Sequence, residues 1–169
     1  MRILGLDPGL RHTGWGVIET DGNRLSFVAA GAISPDPALS LAARLRGLHD
    51  GLFNVIERLR PAEAAIEETF VNRNAESTLK LGEARGVALL TPALFGLAVA
   101  EYNNASIKKS VVGTGGAKKP QVAMMVRTLL PESGDIGSDA ADALAAAICH
   151  AHHTAVSSVW QAAAQETTR

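Results

Sequence analysis

Three groups of acids define the chemistry this chain is able to do. Asp7 closes the run LGLDPG, Glu67 and Glu68 close AAIEE, and Asp139 and Asp142 stand three apart in SDAADALAAAICHAHH. Positions i and i+3 share one face of a helix, so the last two carboxylates project together. The helix dipole rewards acids in a first turn by about 0.3–1 kcal/mol each when exposed, which accounts for Asp139. Asp142 falls where a helix so rich in alanine must pack. Carboxylates gathered in a partly buried place repel one another and are costly unless a cation joins them. Oxygen donors of this kind suit Mg²⁺ or Mn²⁺ rather than metals that favour imidazole or thiolate. Two such ions about 3.5–4 Å apart can activate water on one side of a phosphodiester and stabilise the leaving oxygen on the other. The chemistry indicated is metal-dependent phosphodiester hydrolysis. A turn cap for Asp7 and a solvated strand end for Glu67 are the plainer alternatives, and spacing does not choose between Glu67 and Glu68.

A second feature is electrostatic. Tyr102 to Pro131 holds no acid, yet carries Lys108, Lys109, Lys118, Lys119 and Arg127, in a chain whose net charge is −1. That overall charge gives no general pull toward nucleic acid, so binding has to come from such a patch. Lysines flanking the glycine-rich VVGTGGAKKP can hold phosphates without reading sequence, although a solvated loop has the same composition. Phe70, in the polar stretch EETFVNRN, is placed to stack on an unpaired base, a contact worth about 1–3 kcal/mol. Packing against the next helix is its alternative role. Arg73 and Lys80 lie close by in sequence and extend the candidate phosphate surface. The five histidines and single cysteine lack metal-ligand spacing and read as surface or packing residues.

The elements that must position these groups follow from periodicity. Arg2 to Asp7, Gly14 to Glu19 and Arg24 to Ile33 read as an antiparallel meander, turned between the latter two by TDGN. Leu41, Leu45, Leu48, Leu52, Val55 and Leu59 form one helical stripe ending before Pro61. AEAAIEE is a fourth strand, parallel to the first after a helical crossover, which would bring Asp7 and Glu67 out side by side. Asn74 caps a second helix from Ala75, on which Gly82 and Gly86 permit close helix contact, with Pro92 kinking or ending it. Gly96 to Tyr102 is a fifth strand, VVGTGGAKKP a mobile loop, Lys119 to about Leu130 a third helix, and a fourth begins near Ser138 as its cap. A meander followed by alternating strands and helices implies an α/β fold with a mixed sheet covered by helices.

Composition narrows the class. At 169 residues, 47% hydrophobic and 20% charged, the chain suits one folded domain, and only the end after about Ser157 reads as a frayed tail. An acid after six residues denies MRILGLDPG the apolar region of a signal peptide, and the longest apolar window, Gly86 to Ala100, is too short to span a bilayer. The expectation is a cytoplasmic protein with no membrane partner.

The segments ILGLDPGLRHTGWGVI, IEETFVNRNAESTLKLGEARG, VVGTGGAKKPQVAMMVRTLL and DAADALAAAICH resemble, in order and spacing, the RuvC-type Holliday-junction resolvases. The resemblance covers about residues 2–153, leaving 154–169 as a C-terminal tail without counterpart. It implies an RNase H-like fold with a five-stranded mixed sheet in 1–153, a homodimer, and Mg²⁺-dependent paired nicking of four-way junction DNA. Mn²⁺ would substitute, with two ions per active site. By position it makes Asp7, Glu67, Asp139 and Asp142 the catalytic metal ligands, choosing Glu67 over Glu68. Phe70 matches the base-stacking aromatic, and Lys108 and Lys119 match residues of DNA contact and catalysis. Gly82 and Gly86 fall where family members pair as dimers. The family also works with the branch-migration proteins RuvA and RuvB.

Three rivals share parts of this pattern. A YqgF-type nuclease acting on RNA shares the DPG strand but not the DAAD pair with the basic loop. An actin-like ATPase needs two lobes, more than 169 residues supply. A non-catalytic junction binder would be expected to have lost one of the four acids.

Overall fold

The computed structural model describes residues 1–68 and 74–166, with side chains described through residue 155. Five strands, β1 (Arg2–Asp7), β2 (Thr13–Asp21), β3 (Arg24–Ile33), β4 (Glu63–Glu67) and β5 (Ala98–Tyr102), form one sheet in the order β3-β2-β1-β4-β5. The first three are antiparallel neighbours, whereas β4 runs parallel to both β1 and β5. The expected meander, crossover and mixed sheet are therefore present.

Helices cover both faces. α1 (Leu41–Leu59) and α2 (Ala75–Leu94) lie on one, burying Leu48, Leu52, Val55, Ala84 and Ala88 against Leu4, Leu6, Val17 and Ile66. α3 (Asn104–Val112), α4 (Lys119–Leu129) and α5 (Ser138–Glu166) lie on the other, where Ile107, Val122, Leu144 and Ile148 meet Ile3, Ile18 and Ala65. Side chains alternate across a strand, so Ile3, Gly5 and Asp7 share the α5 side of β1 while Leu4 and Leu6 face α1 and α2.

Several local expectations need correction. VVGTGGAKKP is not all loop, because Val111 and Val112 end α3, a helix absent from the sequence reading. Asn103 caps it by accepting from the Ser106 N–H, and Ile107 and Val111 give it a buried side. Pro92 does not end α2, which continues to Leu94. The proline removes one helix hydrogen bond, the one its N–H would give to the Ala88 carbonyl, and the helix stops two residues later, where Phe95 and Leu97 donate back to the Pro92 carbonyl. β5 starts at Ala98 rather than Gly96, since Gly96 takes a left-handed φ of 75° and Leu97 donates back to the Pro92 carbonyl. Ser138 is the first residue of α5 rather than its cap, and the Gly137 carbonyl accepts from Ala141. α5 continues to Glu166, so the segment set apart as a tail from residue 154 begins inside the helix.

Candidate active site

Two of the acids leave the sheet where β1 and β4 end. Their parallel register pairs Leu6 with Ile66, so the next residues, Asp7 and Glu67, leave the sheet together. α5 supplies the other two carboxylates because bare glycine backbone lets it lie directly on the sheet. A Cβ on Gly14 would stand 2.0 Å from the Asp139 carbonyl oxygen, and one on Gly5 1.9 Å from that of Ala143. No side chain fits at either position, so the first two turns of α5 are seated by backbone contact.

Asp7 stands in the electrostatic field of the other three acids. Burial above all, then the charges of Glu67 and Asp142, push Asp7 up to about 7; Lys119 opposes this and Asp139 adds to it. Burial also raises Glu67, aided by Asp142 and opposed by a hydrogen bond from Asn104 and by the charges of Lys119 and Lys108. The Asn104 Nδ2 donates to Glu67 Oε1 at 2.5 Å. Lys119 Nζ lies 2.8 Å from Asp142 Oδ2, and that bond raises the lysine pKa.

These groups are within electrostatic reach without being closed into a cage. Among the described residues, no three His, Cys, Asp or Glu side chains converge as a preformed metal cluster. The donor set still fits a hard divalent cation. All four donors are carboxylates, Asp7 is so destabilised as an anion that it holds its proton to about neutral pH, and Asp142 already attracts a cation in the Lys119 ammonium.

The remaining candidates divide. Lys108 and Lys119 act electrically on Glu67, from α3 and α4. Lys109 and Lys118 are exposed near the same helices; Lys109 lies in the last turn of α3, and the Lys118 N–H donates to Gln121 Oε1 at the start of α4. Lys80 is paired with Glu76 at 2.5 Å on α2. Phe70 and Arg73 lie outside the described residues. Gly82 and Gly86 are exposed on α2 with open space where a Cβ would stand. The histidines are packing and surface residues as expected: His150 is buried, between Glu63 Oε2 at 2.7 Å and the Tyr102 hydroxyl at 2.8 Å. Sequence reading passed over Asn104, whose partner lies 37 positions away, and the seating glycines of β1 and β2. A GxG alternation facing an alanine-rich helix was the available signal for the latter.

Among the described residues no helix is long and apolar enough to cross a membrane. The family model for crossover junction endodeoxyribonuclease RuvC matches residues 3–150. A crossover junction endodeoxyribonuclease RuvC of Rhodospirillum rubrum is 64% identical over 155 residues, 92% of each chain. The structure of T. thermophilus RuvC in complex with Holliday junction substrate has a TM-score of 0.86 and 32% identity, over 93% of this chain and 96% of that one. The yeast mitochondrial Holliday junction resolvase Ydc2, 13% identical with a TM-score of 0.63 over 88% of this chain and 78% of that one, shares the fold.

Proposed function

Because the chain belongs to the RuvC family of crossover junction endodeoxyribonucleases, we propose that it resolves four-way DNA junctions by metal-dependent paired nicking of symmetric strands, in homologous recombination and repair. The observation that carries the reading is the emergence of Asp7 and Glu67 from adjacent parallel strands, beneath the helix that bears Asp139 and Asp142.

In this reading Asp7, Glu67, Asp139 and Asp142 hold Mg²⁺, or Mn²⁺ in its place, as two ions. Bound there, the ions supply an activated water and charge neutralisation at the scissile phosphate. The chain's own groups prepare that event. Asp7 gives up its proton as the cation charge arrives, since burial and its neighbours' charges are what hold that proton. Asn104 fixes one Glu67 oxygen and favours the ionised form. Lys119 keeps its proton, so it stays a cation beside Asp142 and serves, with Lys108, as a fixed counter-charge to the phosphate. Lys109 and Lys118 extend the phosphate contacts, and Phe70 with Arg73 serves bases and backbone near the junction centre.

A four-way junction is roughly two-fold, so a two-fold enzyme sets two sites on symmetric strands. The exposed face of α2 suits such a dimer: Leu79, Leu90 and Leu94 are 66%, 57% and 68% exposed, in line with Gly82 and Gly86. Work with RuvA and RuvB, in the cytoplasm, completes the reading.

The test compares cleavage in Mg²⁺ of a synthetic four-way junction, the matching linear duplex and an RNA substrate. Paired nicks confined to the junction are expected, and Asp142→Asn should bind the junction without cutting it. Equal cutting of linear duplex would defeat the proposal.

A further inference from the structure

On the α1 and α2 side of the acids lies a cavity of about 490 Å³, lined by Arg11, His12, Arg44, Ser77, Lys80 and Asp139. Its walls come from the β1–β2 loop, α1, the first turns of α2 and, through Asp139, the start of α5. The loop is held rigid. The Gly9 N–H donates to the Thr13 hydroxyl, which donates back to the Gly9 carbonyl at 2.7 Å, and a Cβ on Gly9 would stand 2.3 Å from the His12 carbonyl oxygen. Arg44 is anchored to this loop by its Nη2, 3.1 Å from the Leu10 carbonyl. Its Nε is buried and has no hydrogen-bond partner among the described residues. A buried guanidinium donor left unspent is uncommon, and a guanidinium with donors beyond its structural bond suits an oxyanion.

Charge sets what belongs there. Arg11, Arg44 and Lys80 outnumber Asp139, and of these Lys80 is paired with Glu76. Asp139 also makes the cavity continuous with the acids. Lys108 and Lys119 stand on the opposite side, in the α3 and α4 layer. The acids therefore lie between two basic lobes, one in each helical layer.

We propose that this cavity is a second phosphate subsite, taking a backbone phosphodiester of the cleaved DNA strand next to the scissile one. Arg44 is its fixed donor, with Arg11 and Lys80 as outer cations. The inference rests on the nuclease reading above. A strand laid across the sheet edge from the α3 and α4 lysines to this cavity is gripped on both sides of the acids, which fixes the phosphate between them. Ser77 adds a hydroxyl, and His12, whose Nδ1 is 2.8 Å from Ser34 Oγ, closes the outer wall.

The test places single neutral methylphosphonates along the cleaved strand and measures affinity in EDTA by fluorescence anisotropy for wild type, Arg11→Gln, Arg44→Gln and Arg44→Lys. One neutralised position should weaken wild-type binding about tenfold and add nothing further in Arg44→Gln. The slope of log affinity against log salt should fall by about 0.9 in that variant. Arg44→Lys, which keeps the charge but loses the guanidinium donors, should recover the slope and only part of the affinity. Arg11→Gln, on an exposed side chain, carries the same cycle if Arg44→Gln does not fold. Full additivity of every methylphosphonate with both Arg11→Gln and Arg44→Gln would overturn the subsite. Equal binding and cutting of linear duplex would instead defeat the resolvase reading, while coupling to one phosphate would remain measurable on that duplex.

Discussion

Asp7 links the site to the stability of the whole chain. Its pKa rises from 3.8 to about 7 on folding, so between those values the folded chain keeps a proton that the unfolded chain has released. Stability contributed by that proton is full below about pH 4 and is lost as pH rises through about 7. In EDTA, Asp7→Asn should therefore melt above wild type at pH 8, by a few kcal/mol of stability, with the gap closing toward pH 4; thermal unfolding across that range checks it. Added Mg²⁺ should raise the wild-type melting temperature at pH 8 more than that of Asp7→Asn. Asn104 acts in the other direction, because its hydrogen bond lowers Glu67 against the effect of burial. Asn104→Ala should shift the pH of half-maximal cleavage upward, and an unmoved profile would reduce Asn104 to a packing role. The acids were legible as candidates, because carboxylates at strand ends and at i, i+3 stand out in the sequence, but the choice of Glu67 over Glu68 came from the family resemblance. Asn104 and Arg44 were not, since each owes its place to a partner 37 or 34 positions away, and only the folded chain brings such pairs together.

At the level of elements, the site depends on how closely α5 approaches the sheet. Gly14→Ala puts a methyl 2.0 Å from a backbone oxygen, so helix or strand has to move. Overpacking of this kind costs about 1–3 kcal/mol or more. The expected result is a lower urea midpoint with a folded chain, and cleavage reduced further than junction binding, because the displaced turn is the one that carries Asp139 and Asp142. Most element positions were readable from apolar periodicity, as the long stripe of α1 illustrates. α3 was not: in nine residues it buries only Ile107 and Val111, too few turns for a repeat to register, and the glycines after Val112 lend the whole stretch the look of a loop.

The molecule as a whole has one working edge. β1, β4 and β5 are parallel, so their C-terminal ends coincide, and the acids, both basic lobes and the DNA proposed to cross them gather there. Pairing through α2 would set two such edges in one particle. Leu90→Glu, which puts a charge in the middle of the exposed apolar face, should yield monomers by sedimentation that nick junctions singly rather than in pairs. An unchanged sedimentation coefficient would place the dimer contact elsewhere. The antiparallel turn from β2 to β3 lies at the opposite end, since Glu19 pairs with Arg2 while Gly14 pairs with Asp7. At that turn Gly22 takes a φ of 56°, with open space around it. Gly22 lies eight residues along the chain from Gly14, which at about 3.3 Å each puts this point about 26 Å from the acids. A dye or surface tether on the neighbouring Asn23 would hold the enzyme still from behind, leaving the whole of the opposite edge free to take up and release a junction under a microscope.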